Sequence, residues 1–115
     1  SLLYFYISNG ALSTGYFTQL DVVGTWYCFA LTFDGSQATN ALKAKAYINA
    51  VQQTVTFEDA AMPTSTADNS ASSFILASTG SAQYLDGVEG EVFVDGRTLP
   101  AAEVQNYYMA TKWRY

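Results

Sequence analysis

Three carboxylates in the C-terminal third come closest to a catalytic set. Glu89, Glu91 and Asp95 are spaced i, i+2, i+6, which places all three on one face of a regular strand because successive side chains alternate between faces. Most glycoside hydrolases use a pair of carboxyl groups that flank the scissile bond. The alternative interpretation is an exposed, charged strand that discourages aggregation.

Aspartates at loop ends are the candidates for a metal site, because carboxylate oxygens suit a hard cation such as calcium. Four are considered: Asp34, Asp59, Asp68 and Asp86. None belongs to a run with the dense ligand spacing of a calcium loop, and Asp34 precedes a glycine, a pair that is typical of a turn. Calcium stays open as a cofactor, with Asp34 and Asp86 as the candidate ligands.

Aromatic and amide side chains could form a sugar-binding site, in which a ring stacks on the sugar and amides hydrogen-bond its hydroxyls. The candidates are the rings of Tyr16, Tyr84 and Trp113 and the amides of Asn9, Asn69 and Gln83. Each ring could equally belong to the core or to an interface. Trp113, near the end of the chain, is expected to pack on the rest of the domain or against a neighbour.

Composition excludes several functions. The 115 residues carry a net charge of −5 without a basic cluster, so a nucleic acid would be repelled. No apolar run reaches the ~18 residues of a membrane span, and no segment resembles a signal peptide. The chain has no histidine and one cysteine, so we expect Cys28 to be a buried, inert thiol without a base to activate it.

The pattern of apolar residues predicts one all-β domain, an antiparallel two-sheet sandwich with one short C-terminal helix. A polar loop is expected over residues 36–41 and an exposed, mobile one over residues 58–72. The helix is expected near Pro100–Met109 because it opens with proline and then shows helical spacing. Seven or eight strands are predicted: Leu2–Ile7, Leu12–Leu20 with a bulge at Gly15, Trp26–Phe33, Lys43–Asn49, Val51–Phe57 paired with the strand before it, Ser73–Ser78, and Tyr84–Val94, which Gly87 and Gly90 bend or divide.

Three segments resemble the laminin-G-like, or concanavalin A-like, jelly-roll family. Residues 26–35 match "W-x-x-x-A-x-T-x-D-G", and residues 47–49 match the start of "Y-x-N-G". The C-terminal pattern "G-x-I-x-E-V-x-I-Y-x-R-x-L-S-x-x-E-I" is matched at Gly87, Glu91, Val92, Val94, Arg97, Leu99, Glu103 and Val104. The chain departs from the family at Ala50, where glycine is usual, and at Glu89 and Asp95. Family domains also begin with strands that are absent before Leu2.

The resemblance implies a fold more directly than a function. Related glucanases have the motif "E-x-D-x-x-E", whose last Glu is the catalytic acid. When residues 89–94 are aligned with this motif, Glu91 stands in place of the central Asp and Val94 in place of the acid, so we expect no hydrolase activity. The favoured function is a non-catalytic binding or adhesion module for glycan or protein surfaces. The alternative is a structural subunit of a surface or virion assembly. Either implies an extracellular, cell-surface or virion location.

Two structural expectations follow. We expect the chain to lack the first strands of its domain, so that a second copy, a partner chain or a further part of the same polypeptide completes the sheet at the Leu2–Ile7 strand or a neighbouring strand. The alternative is a compact sandwich that closes with fewer strands. The apolar positions of the strands predict a core that includes Trp26, Phe29, Leu31, Phe33, Ile48, Phe74, Leu76, Val92, Val94 and Leu99.

Overall fold

The computed structural model describes residues 2–18, 22–67 and 86–115. In these ranges the chain forms two antiparallel sheets of three strands each, with one helix at the C-terminal end. The elements are β1 (Leu2–Ser8), β2 (Leu12–Thr18), β3 (Phe29–Phe33), α1 (Asn40–Lys43), β4 (Ala44–Ile48), β5 (Val51–Gln52), β6 (Thr56–Phe57), α2 (Ala101–Thr111) and a 3₁₀ helix (Lys112–Arg114). The first sheet has the order β1-β2-β6 and the second the order β3-β4-β5.

The first sheet is built on the β1–β2 hairpin. Its ladder runs without interruption from Leu2 opposite Thr18 to Ser8 opposite Leu12, so the predicted bulge at Gly15 is wrong. Gly15 pairs in register with Phe5, whose ring lies where a side chain at Gly15 would stand. The missing side chain therefore makes room for the ring and does not interrupt the strand.

The second sheet is closed by a tight turn between β4 and β5. Asn49 and Ala50 both have positive φ, 49° and 65°, the backbone of a type I′ hairpin turn. The Asn49 side chain accepts a hydrogen bond from the backbone N–H of Cys28 at 2.9 Å, and the Asn49 N–H donates to the Cys28 carbonyl at 2.7 Å. Ala50, where the family usually has glycine, thus adopts the left-handed conformation that favours glycine.

The predicted strand Val51–Phe57 is divided between the two sheets. β5 pairs with β4 in the second sheet, whereas β6 pairs with β2 in the first. Val55 and Phe57 pack against the hydrophobic core, which draws this end of the segment away from β4. Only the part next to the turn therefore forms the expected hairpin.

The buried core takes side chains from both sheets. It consists of Phe5, Ile7 and Phe17 from the first sheet, Ala44 and Ala46 from the second, and Met62. Met62 lies in the segment expected to be an exposed loop, yet its side chain is only 1% exposed. Its backbone N–H donates to Asn40 Oδ1 at 2.8 Å, and its carbonyl accepts from the buried Lys43 Nζ at 2.8 Å. These polar contacts, together with burial of the Met62 side chain, hold this loop against the domain.

The predicted core is wrong at five positions. Trp26, Phe29, Leu31, Val92 and Val94 are all at least 42% exposed. Of the other predicted members, Phe33, Ile48 and Leu99 are partly buried, whereas Phe74 and Leu76 lie outside the described residues. Residue alternation identifies the face of a strand but not how far the opposing layer extends over it, and the buried alanines of β4 mark the covered region.

In the C-terminal part, the predicted helix is confirmed and the predicted strand is wrong. α2 spans Ala101–Thr111, close to the predicted range. The described part of the predicted strand Tyr84–Val94 has no regular secondary structure and is exposed. The predicted strand Ser73–Ser78 lies outside the described residues. The polar loop is also shorter than expected, because α1 begins at Asn40.

Candidate functional site

The outer surface of the first sheet carries three tyrosines, Tyr4, Tyr6 and Tyr16, which we call the tyrosine face. β1 and β2 alternate, so that the odd-numbered side chains of both strands point to the core and the even-numbered ones point away from it. Tyr4 is 46% and Tyr6 60% exposed, and Tyr16 is half-buried. The hydrophobic burial of one face thus forces the tyrosines onto the other.

Two of these rings support each other. Tyr4 and Tyr16 are directly opposite in the ladder, and their ring centroids are 5.2 Å apart with an angle of 42° between the planes. Tyr6 is two residues further along β1, opposite Thr14. Contacts between cross-strand aromatic rings stabilise a sheet and restrict the rotamers of both rings. The tyrosine face therefore presents partly ordered aromatic surface to solvent.

The two strands that carry the tyrosine face are uncharged, whereas Glu58 and Asp59 follow β6 and hydrogen-bond the backbone of Thr14. Neither β1 nor β2 contains an acidic or basic residue, and the exposed side chains of Leu2 and Leu12 lie at the two ends of the hairpin. Tyrosine rings with hydroxyl tips combine an apolar contact surface with hydrogen-bonding groups. The arrangement can stack against sugar rings or against an apolar protein surface.

Two of the predicted site residues belong to this hairpin. Tyr16 is on the tyrosine face, and Asn9 is exposed in the turn between β1 and β2. Tyr4 and Tyr6 were missed because Leu2–Ile7 is a continuous run of aliphatic and aromatic residues, without charged or amide side chains that would mark an exposed face. Tyrosines at alternate positions were the signal that could have found them, because their hydroxyls favour the solvent side.

The other predicted binding residues are not brought together with this face. Trp113 lies in the 3₁₀ helix, 78% exposed, with Lys112 Nζ 4.4 Å from its ring centroid. It does not pack on the described part of the domain, and packing against a neighbour stays a prediction. Tyr115 packs in its place, with its ring centroid 4.5 Å from that of Trp26. Gln83 and Tyr84 lie outside the described residues, as does Asn69.

The candidate metal ligands do not converge in the described ranges. Asp34 accepts hydrogen bonds from the Ser36 hydroxyl at 2.6 Å, the Ser36 N–H at 3.0 Å and Gln37 Nε2 at 2.8 Å. These bonds, that of the Ser36 hydroxyl first, hold the pKa of Asp34 below its ordinary value. The turn function of Asp34 is thus observed. Asp86 is exposed, and residues 2–18, 22–67 and 86–115 contain no group of three or more metal-ligating side chains of the His, Cys, Asp and Glu types.

Asp59 has a structural role, and Asp68 lies outside the described residues. The Asp59 Oδ2 accepts a hydrogen bond from the backbone N–H of Thr14 at 2.5 Å. This bond ties the loop after β6 to the first sheet. Calcium binding stays a prediction.

The three C-terminal carboxylates share no strand face. Glu91 pairs with Arg114, Asp95 accepts a hydrogen bond from the Arg97 N–H at 3.1 Å, and Glu89 is exposed in a segment without regular structure. The i, i+2, i+6 spacing therefore does not produce the aligned set that a strand would have given. The absence of catalysis stays a prediction.

Cys28 is partly buried just before β3. Burial raises the pKa of its thiol, which keeps it protonated at neutral pH and lowers its reactivity. The sequence offers no histidine to act as a base. An unreactive thiol is the role that this environment favours.

Comparisons with known proteins add no family. The chain matches no protein-family model, and no curated protein or solved structure is significantly similar to it. Among the helices of the described ranges, none is both long enough and apolar enough to cross a membrane.

Proposed function

We propose that this chain is a non-catalytic binding or adhesion module that recognises glycan or protein surfaces through the tyrosine face. The observation that carries the proposal is the exposed, uncharged set of Tyr4, Tyr6 and Tyr16 on an ordered sheet. Rings that are already restricted by neighbours lose less side-chain entropy on binding, which favours affinity.

The fold proposed for this module is a laminin-G-like jelly-roll sandwich. One hydrophobic cluster shared by both antiparallel sheets supports it, as does the sequence resemblance in β3, β4 and the segment before α2. An extracellular, cell-surface or virion location belongs to the same proposal. No described cluster argues for a bound metal, and calcium dependence is tested by repeating the binding measurement with a chelator.

Binding to immobilised glycoproteins tests the proposal. The chain is applied to surfaces coated with mucin-type and N-glycosylated proteins, before and after enzymatic deglycosylation. Tyr6→Ala is expected to weaken binding about tenfold, corresponding to about 1.4 kcal/mol, because Tyr6 is the most exposed of the three rings. Trp113→Ala removes an exposed ring from another element and is the matched control.

The outcomes separate the classes of partner. Binding lost on deglycosylation identifies a glycan, whereas retained binding identifies a protein surface. Equal binding by the wild type and the Tyr6→Ala variant, or loss only in the Trp113→Ala variant, would show that the tyrosine face is not the site.

A structural subunit of a surface or virion assembly is the second candidate. The observation that favours it is the exposure of Phe29 and Leu31, 64% and 42%, on the face of the second sheet that also carries the buried Ala44 and Ala46. Large exposed apolar side chains next to a core mark interaction surfaces. A second copy or a partner chain that extends the sheet would cover them.

Sedimentation equilibrium tests the assembly proposal. The wild type is expected to associate with rising concentration, and Phe29→Ser with Leu31→Ser is expected to abolish this. Val88→Ser, at an exposed apolar position outside both sheets, is the matched control. A constant monomer mass for the wild type would exclude self-assembly through this face.

A further inference from the structure

A groove of about 330 Å³ lies on the outer face of the second sheet. Its floor includes Thr32 of β3 with Lys45 and Tyr47 of β4, and its far wall is the segment 98–101 that leads into α2. The volume is at the lower end of the ~300–1,000 Å³ of small-ligand sites. This groove is on the opposite sheet from the tyrosine face and does not depend on the function proposed for it.

The floor contains two buried hydroxyl-bearing side chains. Thr32 is 7% and Tyr47 2% exposed, and the ladder sets Thr32 opposite Lys45. Within the described part of the chain, neither side-chain hydroxyl donates or accepts a hydrogen bond. Buried polar groups are nearly always hydrogen-bonded, so a ligand in the groove would supply partners to them.

The far wall is positively polarised. Thr98 Oγ1 donates to the carbonyl of Phe33 at 2.5 Å and ties this wall to the end of β3. α2 begins at Ala101 after Pro100, which provides no side-chain cap, and the first hydrogen bonds to the Pro100 carbonyl come from residues 103 and 104. The N–H groups of the first two helical residues thus remain as donors beside Lys45, which suits a carboxylate.

The groove lining also includes a negative charge. Asp34 and Gln37 line the groove just after the end of β3, and the hydrogen bonds of the turn keep the Asp34 carboxylate ionised. Lys45 also favours the ionised form of Asp34 through its charge, yet the described residues contain no ion pair between them. Both charges therefore remain accessible to a ligand.

We propose that this groove binds a small zwitterion of the amino-acid class, a free amino acid or dipeptide. Its carboxylate lies towards Lys45 and the N-terminus of α2, and its ammonium group lies towards Asp34. The net charge of −5 opposes the entry of polyanions, whereas a zwitterion carries no net charge. Lys45 with the α2 N-terminus, and Asp34, thus select for both groups at once.

Chemical-shift perturbation measured by NMR tests the proposal, with the twenty free amino acids and the dipeptide Ala-Ala as probes at up to about 10 mM. At least one probe is expected to shift the amides of β4 and the start of α2 with a Kd at or below about 1 mM. N-acetylation or C-terminal amidation of the bound probe is expected to weaken binding about tenfold.

Two variants test the two charged partners separately. Lys45→Met is expected to remove the preference for the free acid over the amide, and Asp34→Asn the preference for the free amine over the N-acetyl form. Lys112→Met makes the same change of charge elsewhere and is expected to have no effect. Absence of binding by every probe, or equal binding of free and blocked forms, would overturn the proposal, whether or not the tyrosine face binds glycoproteins.

Discussion

Replacing Gly15 by alanine is expected to destabilise the first sheet through one identifiable contact. A Cβ at this position would stand 2.3 Å from Cζ of Phe5 and 2.8 Å from its Cε1. Carbon atoms in ordinary contact are about 3.5–4.0 Å apart, so the ring must move by more than about 1 Å. Phe5 is itself in the buried core and cannot move freely. This contact also belongs to the register that sets Tyr4 opposite Tyr16.

The size of the effect is a balance of two terms. Overpacking of a well-packed core costs typically about 1–3 kcal/mol. Gly15 is not among the glycines with positive φ, so alanine recovers about 0.4–1 kcal/mol by restricting the unfolded chain. We expect a net loss of about 1–2 kcal/mol in the free energy of unfolding. With an m-value of about 2 kcal/mol per M, the middle of the usual range for urea, the urea midpoint falls by roughly 0.5–1 M.

Urea unfolding followed by tryptophan fluorescence measures the loss. Gly96→Ala is the matched control, because a Cβ at Gly96 has no atom within 4 Å. Phe5→Leu removes the part of the ring that meets the new methyl group, so the double variant with Gly15→Ala is expected to be about as stable as Phe5→Leu alone. Additive effects of the two substitutions, or equal midpoints for Gly15→Ala and Gly96→Ala, would refute the assigned contact.

Three further predictions follow from single positions. Ala50→Gly is expected to raise the free energy of unfolding by about 1 kcal/mol, measured by urea unfolding, because φ at Ala50 is 65°; an unchanged midpoint contradicts this. The pKa of Asp34 is lowered in the folded chain, chiefly by the Ser36 hydroxyl. Asp34 therefore stabilises the fold at pH values above its unfolded pKa, and this stabilisation is lost as pH falls through the folded pKa. In Asp34→Asn the free energy of unfolding should fall less steeply with decreasing pH in the acid range. Met62→Ala is expected to lower the free energy of unfolding by about 2–5 kcal/mol, and Trp26→Ala is expected to lower it less, because Trp26 is 45% exposed and Met62 only 1%. A larger loss for Trp26→Ala in thermal unfolding would show that Trp26, and not Met62, belongs to the core.

The sequence by itself determined the features that depend on neighbours along the chain. α2 was predictable because Pro100 can start a helix and Val104 and Tyr108 fall on one side of it. The turn at Asn49 was predictable because asparagine tolerates positive φ. For these features the interacting groups are within a few residues, so a local pattern contains the necessary information.

The candidate site could be predicted only in part. Tyr16 and Asn9 were identified from residue type, but the companions of Tyr16 depend on the register of β1 against β2, which sets Tyr4 across from it. The groove depends on the wall formed by residues 98–101 beside β3, a contact across more than sixty positions that Thr98 and Phe33 make. No local pattern contains such a contact.

Only the tertiary structure decided which apolar residues are buried. Phe29 and Leu31 have the residue types of a core strand, yet they are exposed, whereas Met62, alone in a polar loop, is almost completely buried. The tertiary structure also decided the position of Val55 and Phe57, which do not continue the pairing with β4 and instead pack on the core shared by the two sheets. Alternation establishes which side chains share a face, but burial requires an opposing layer, and the position of that layer is set by contacts between segments far apart in the chain.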